Sequence, residues 1–335
     1  MKVLKNIPLS SYTTWKIGGP AQYLIQANNG TEFVEAIKYG RKNNLPITVL
    51  GGASNVLVSD KGIEGLVVIN KSRQWRVVDG EIKDKSCNQE IRPRQVQLEE
   101  KIRFENLFYN EDNLKKVRVR VDSGVNITWL IQELLKRGIT GLHWFVGIPG
   151  TVGGGVYNNI HAGHLFLGDF VSRIEVLDKN GKVKLLETCE FGFDYDQSRF
   201  HKSGEIILSI DFDLYYGDTK KAKQFIETWL GQRDIKYPLP SAGCVFKNID
   251  KKTQEKLNLP TPSWGYIIDK VLGLKGKQIG GAVISDKHSA FIVNKSGKAK
   301  AKDVLALIEL VKKESMKKLA IQPELEIFLL GNFNG

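Results

Sequence analysis

Three stretches of the chain carry residues whose types and spacing could do chemistry. In LPSAGCVFKN, residues 239–248, Cys244 sits between a glycine and an apolar pair, with Lys247 and Asn248 behind it. A thiol so placed is a small packing residue, half of a metal or redox pair, or a group that moves a proton. The three cysteines, Cys87, Cys189 and Cys244, are widely spaced and form no CxxC pair. That argues against a disulfide framework and against a cysteine-based zinc site. The histidines show no HExxH spacing. His161 and His164 lie in a glycine-rich loop without a third nearby ligand in the sequence, so no metal is expected there.

The other two stretches are rich in glycine. VLGGASNVLVSD (49–60) follows a strand-like run; Gly51 and Gly52 allow close backbone approach, and Ser54 and Asn55 can bond phosphate oxygens. GIPGTVGGG (147–155) offers a Pro149-Gly150 turn and then a run of amides. Neither fits GxGxxG or a Walker loop with its lysine. One glycine-rich turn is commonly no more than a turn. Two in one chain suit a dinucleotide, which needs several amide contacts.

The elements around these loops alternate. AQYLIQA, ITVL and GIEGLVVIN read as strands and GTEFVEAIKYGRKNN as a helix, which gives an α/β lobe over residues 1–70. Residues 79–115 are heavily charged with no core face and read as a surface insertion. KVRVRVDSG resumes strict alternation. NITWLIQELLKRG is a helix with Ile127, Leu130, Ile131 and Leu134 on one face, and VSRIEVLDKNGKVKLLE is a hairpin turning at Asn180-Gly181. A second lobe is expected over 71–217 and a third over 218–335, the last opening on a helix and closing on the strand PELEIFLL.

The chain has 335 residues, 41 % apolar, with a net charge of +12. The basic surface attracts polyanions in general, but no RNA-binding aromatic signature, zinc finger or basic heptad helix accompanies it. A nucleic-acid partner is not expected. No apolar run approaches the ~20 residues that span a bilayer, and the N-terminal stretch lacks a signal-like apolar core, so a cytoplasmic location is expected.

In their order along the chain, SSYTTWKIGGPAQYL, LGGASNVLVSD, GIPGTVGGGVYNN, LPSAGCVFKN, GLKGKQIGGAVISDKHSAFIVN and PELEIFLLG resemble the UDP-N-acetylenolpyruvoylglucosamine reductases, flavoenzymes of peptidoglycan precursor synthesis. The resemblance implies an α+β molecule: a two-lobed, vanillyl-alcohol-oxidase-like FAD-binding fold plus a C-terminal α/β substrate-binding domain. It implies non-covalent FAD, NADPH as co-substrate, a UDP-sugar substrate and a monomer. The FAD would be held by Leu50, Gly51, Gly52, Ala53, Ser54 and Asn55, by Gly124, and by Gly147, Ile148, Pro149, Gly150, Thr151, Gly153 and Gly154. The rival readings are another FAD-dependent oxidase of the same superfamily and a catalytically degenerate binding protein.

The resemblance also assigns roles. Cys244 stands where the family has a proton-donating serine, and Glu324 matches the glutamate of its P-E-V motif, which assists in stabilising the enol. On spacing alone Glu324 would be a solvent-facing strand residue like Glu326. Tyr195, Lys236 and Asn248 match substrate-binding positions; Ile249 replaces the proline usual after the asparagine. The sharper departure is FDYDQSRF (193–200), where the family pattern is Y-R-x-S-x-F. Asp196 occupies the place of an arginine that faces the substrate carboxylate, and a carboxylate there has the wrong sign. Arg199 is expected to swing a guanidinium into that space. The alternatives are a carboxylate held differently, reduced activity, or a surface pair between Asp196 and Arg199.

Overall fold

The computed structural model describes residues 1–78, 111, 114–162, 165–236 and 238–333. The stretch read as an insertion, with Cys87, lies almost wholly outside the described residues, as do His164 and the side chain of Lys236.

In the first lobe, β1 (Leu4–Pro8), β2 (Pro20–Ala27), β3 (Ile47–Leu50) and β5 (Ile63–Asn70) form a sheet in the order β1-β2-β5-β3. β1 runs antiparallel to β2, whereas β2, β5 and β3 are parallel. Helix α1 (Gly30–Lys42) crosses from β2 to β3 and packs Phe33, Ala36 and Ile37 on the sheet. Its start is fixed by Asn29, whose side chain accepts from the Glu32 amide at 2.9 Å. The first glycine loop leaves β3 and leads into the short β4 (Val56–Val58).

The second lobe is antiparallel. β6 (Trp75–Val78), β7 (Lys116–Asp122), β8 (Val171–Leu177), β9 (Val183–Glu187) and β10 (Ile206–Tyr216) pair in the order β9-β8-β10-β7-β6. The β8–β9 pair is the hairpin expected around Asn180-Gly181. Val117, Val119 and Val121 alternate into a core shared with α2 (Ile127–Lys136), whose buried face is Ile127, Leu130, Ile131, Leu134 and Leu135. The intervening Arg118 and Arg120 make bidentate pairs with Asp213 and Asp211 of β10. Helix α3 (Val152–Asn158) follows the second glycine loop.

Helix α4 (Thr219–Lys236) buries Ala222 and Phe225 in this second core, with Phe225 edge-on to Trp144, so by packing it belongs to the second lobe. The third lobe sets a small antiparallel sheet, β11 (Gln278–Ile279), β12 (Ala282–Ile284) and β13 (Ile292–Val293), under helix α5 (Ala301–Leu319). Its core is not made by the third lobe alone. Trp15, fully buried, lies in it with Ile17 and Leu57. Trp15 donates its indole N–H to Ile292 O at 2.8 Å, and Asn294 donates to Trp15 O at 3.1 Å. The last strand, β14 (Phe328–Leu330), leaves the third lobe and pairs in parallel with β4.

Because Trp15 fills a core built from both ends of the chain, Trp15→Ala is expected to destabilise by about 3–5 kcal/mol. Urea unfolding followed by circular dichroism measures this. A loss below about 1 kcal/mol would mean that the core closes without it.

Candidate active site

The two glycine loops meet. Ser54 Oγ donates to Pro149 O at 2.9 Å, and Asn126 and Thr151 form an isolated bridge that aligns the second loop with the turn after β7. The approach leaves no room for side chains. A Cβ on Gly52 would stand 2.6 Å from Gly150 Cα, and one on Gly153 would stand 2.6 Å from Ser123 Cβ. A Cβ on Gly51 would strike Thr151 Oγ1, and one on Gly124 would strike Asn70 Oδ1. Gly150 itself has φ 131°, a conformation that only glycine adopts without strain. Across this contact the backbone N–H groups of Gly52, Ala53, Ser54 and Asn55 find no acceptor among the described residues. Ala53 is moreover buried and held at φ 45°. Unpaired amides on a strained loop are the donors that a pyrophosphate needs. The residues present fit FAD.

The third lobe reaches the same place through residues 324–328. Asn55 Nδ2 donates to Glu326 O at 3.1 Å, and Phe328 N donates to Asn55 O at 3.0 Å. On its other side Glu326 N donates to Val245 O at 2.9 Å, one residue from Cys244. The cysteine loop and the first glycine loop are therefore stitched to one segment.

The two glutamates, two residues apart, meet different surroundings. Glu324 extends outward, its side chain 73 % exposed, in an ion pair with Lys247. Glu326, read as solvent-facing, is partly buried, and its carboxyl group is crowded by protein atoms more than the residue's surface implies. Burial raises its pKa well above the usual carboxyl value. The nearby charge of Asp196 adds to the rise, and Lys247 opposes it. A carboxyl so held keeps its proton and can act as a hydrogen-bond donor. The signal available in the sequence was a lone charge between Leu325 and Ile327 in an apolar run.

Asp196 stands at this site, and Arg199 does not join it. Asp196 is at φ 47° in a turn closed by reciprocal backbone bonds between Asp194 and Gln197. Its Oδ1 is 3.2 Å from His161 Nδ1, and its Oδ2 is buried with no hydrogen-bond partner among the described residues. Arg199 opens the helical turn 200–203 and directs its guanidinium to Glu205, 3.0 Å from Nε, and to Glu190 O. A surface pair between Asp196 and Arg199 does not form either. His201 is half-buried, tilted against Tyr157 at 4.6 Å between centroids and edge-on to Phe328. Burial lowers its pKa, against a hydrogen bond to the Tyr157 backbone, and its buried Nε2 has no partner among the described residues. Buried polar atoms without partners mark a place where a ligand completes the hydrogen bonding. Among the described residues no group of three or more His, Cys, Asp or Glu is arranged to hold a metal ion. Tyr195 lies against His161, with ring centroids 5.0 Å apart, and Asn248 is exposed beyond Lys247.

A cradle of unpaired amides between two lobes, closed by a third lobe that brings an acid and a thiol, defines a flavin-binding protein. The FAD binding domain model matches residues 102–187, and the model of the UDP-N-acetylenolpyruvoylglucosamine reductase C-terminal domain matches residues 234–330. The UDP-N-acetylenolpyruvoylglucosamine reductase of Moorella thermoacetica is 33 % identical over 333 residues, covering 99 % of this chain and 94 % of its own. That of Lactobacillus gasseri is 34 % identical, covering 98 % and 94 %. The crystal structure of the reductase from Thermus caldophilus matches over 98 % of both chains with a TM-score of 0.70 and 28 % identity. The chain belongs to the UDP-N-acetylenolpyruvoylglucosamine reductase family.

Gly51→Ala is expected to lose bound flavin and to cost on the order of 1–3 kcal/mol, as overpacking does. Gly30→Ala, with open space around it, should keep the flavin and gain up to about 1 kcal/mol. Flavin absorbance and melting temperature read both. For Glu326 the folded carboxyl titrates higher than the unfolded one, so its contribution is intact below the usual value of 4.5 and is lost as pH rises through the folded pKa. The melting temperature of Glu326→Gln should match the parent at acidic pH and exceed it increasingly as pH rises. A difference that shrinks with pH would refute the assignment.

Proposed function

We propose that the chain reduces the enolpyruvyl group of UDP-N-acetylglucosamine enolpyruvate to give UDP-N-acetylmuramate, with non-covalent FAD and with NADPH as reductant. The observation that carries this reading is the segment around Glu326, bonded at once to the cradle loop through Asn55 and to the Cys244 loop through Val245. It ties the loops that carry Glu326 and Cys244 to the loop proposed to hold the flavin.

Bound FAD, which the amides of Gly52, Ala53, Ser54 and Asn55 would hold, would supply the hydride chemistry between NADPH and the vinyl carbon. The residues of the chain manage the resulting charge and the proton. Hydride addition drives an electron pair toward the substrate carboxylate as an enolate, and Glu326, neutral by burial, donates a hydrogen bond to it. The thiol of Cys244 then gives its proton to the remaining carbon, and solvent restores that proton after product leaves. Lys236 and Asn248 are assigned to the diphosphate and Tyr195 to the sugar side. Glu324 is assigned to the rim, as the partner of Lys247. Work as a monomer in the cytoplasm, where sugar nucleotides and NADPH are made, belongs to the same proposal. Among the described residues no helix is long and apolar enough to cross a membrane.

The reading is tested by NADPH oxidation with FAD-loaded protein. Oxidation should depend on the enolpyruvyl sugar nucleotide and be absent with UDP-N-acetylglucosamine; no dependence would sink the proposal. Glu326→Ala and Cys244→Ala should each slow turnover by on the order of 10²–10⁴, the usual range for a lost acid. Glu324→Ala should change it little. Cys244→Ser should stay active and resist thiol alkylation.

A further inference from the structure

Reduction of an enolpyruvyl ether places extra negative charge on a group that already carries a carboxylate. A cation must stand close by before that charge forms, or the barrier rises. The position of Asp196 offers a carboxylate, and Glu326 beside it is neutral or negative but never positive. Among the described side chains, the cations named at this site have other engagements. Lys247 is paired with Glu324, Arg199 with Glu205, and His201 is pushed toward its neutral form by burial.

We infer that His161, oriented by Asp196, binds the substrate carboxylate and carries the positive charge that balances the enolate. This rests on the reduction proposed above. Asp196 Oδ1 lies 3.2 Å from His161 Nδ1, and a carboxylate can only accept, so Nδ1 carries the hydrogen. Nε2 is thereby left for a ligand, and about a third of the side chain, 32 %, is exposed. The ring is steadied by Tyr195 on one side, at 5.0 Å between centroids, and by the edge of Phe166, at 6.3 Å. A substrate carboxylate at Nε2 would set the imidazole between two anions, the setting that favours the imidazolium. Asp196 acts through the histidine and is a positioning residue. Its left-handed backbone, pinned by the Asp194–Gln197 bonds, is strain kept where it aims a functional group.

Rapid mixing of the FAD-loaded protein separates reduction by NADPH from reoxidation by UDP-N-acetylglucosamine enolpyruvate. His161→Gln is expected to slow reoxidation by on the order of 10² more than it slows reduction, the usual cost of one lost enolate-stabilising donor. His161→Lys, which keeps a cation, should stay within about tenfold of the parent. Asp196→Asn should slow reoxidation in the parent and add little on top of His161→Gln. Placing Asp196→Arg on the His161→Gln background should recover most of the loss. Parental reoxidation in His161→Gln, equal losses in His161→Gln and His161→Lys, or a loss confined to Lys247→Gln would each overturn the inference and leave the proposed function standing. Failure of the substrate to reoxidise the reduced parent protein would overturn both.

Discussion

Parallel pairing of Phe328–Leu330 with Val56–Val58 draws the end of the chain onto the strand that leaves the first glycine loop, and the site depends on that register. With Phe328 opposite Val56, the preceding residues lie along Asn55 and reach back to Val245. One short strand thereby fixes the distance between the flavin cradle and the thiol loop. A pairing between segments some 270 residues apart carries a loop-closure cost, which grows only slowly with length, and the burial of Trp15, Ile17 and Leu57 in the third core helps to offset it. The three lobes are in this sense interlocked. N-terminal residues complete the third core, the terminal strand returns to the first lobe, and α4 seals the second.

The cradle depends on absence. Gly51 faces Thr151, Gly52 faces Gly150, and Gly153 faces Ser123, each at a separation that a Cβ would violate. The same closeness that joins the first two lobes keeps side chains from covering the amides of residues 52–55. Packing and ligand recognition are thus one constraint. The unpaired donors of residues 52–55 thus gather without the single glycine fingerprint of other folds: they lie on the first loop, and the second, whose Ile148, Val152, Gly153 and Gly154 amides bond within the protein, supplies the close wall.

The need for glycine at Gly51 and Gly52 was legible because the lack of a Cβ is a local property. So were the alternation of β7, the α2 face and the Asn180-Gly181 hairpin, where periodicity and turn chemistry agree with the observed pairing. Glu326 was not legible, because alternation assumes a strand. Residues 321–327 form no regular strand: Leu325 makes an isolated bridge to Phe246, the chain bends at Glu326 and Ile327, and regular pairing starts at Phe328. Glu324 and Glu326 consequently meet different surroundings in spite of their spacing of two. Arg199 misled for a related reason. Its backbone already belongs to the start of a helical turn, which directs the guanidinium toward Glu205 and Glu190. Nearness in sequence to Asp196 says nothing about direction. The boundary at 218 assigned α4, the helix expected there, to the third lobe, whereas its Phe225 packs on Trp144 in the second core.

Two carboxyl groups close together, facing an anionic ligand, pose an electrostatic problem that the fold must resolve. With both ionised, Glu326 and Asp196 would repel each other and the substrate. The structure resolves it unequally. Glu326 is desolvated, which favours its protonated form. Asp196 retains an exposed-side partner in His161 and directs its second oxygen into a buried space with no hydrogen-bond partner among the described residues. Among the lysines, Lys247 bears on Glu326, opposing the rise in its pKa while paired with Glu324, and the rest of the basic surface draws anions in general. Attraction at long range and proton placement at short range are thus carried by different residues. The short-range part requires that one carboxyl be starved of water while its neighbour, remote in sequence, is tied to an imidazole.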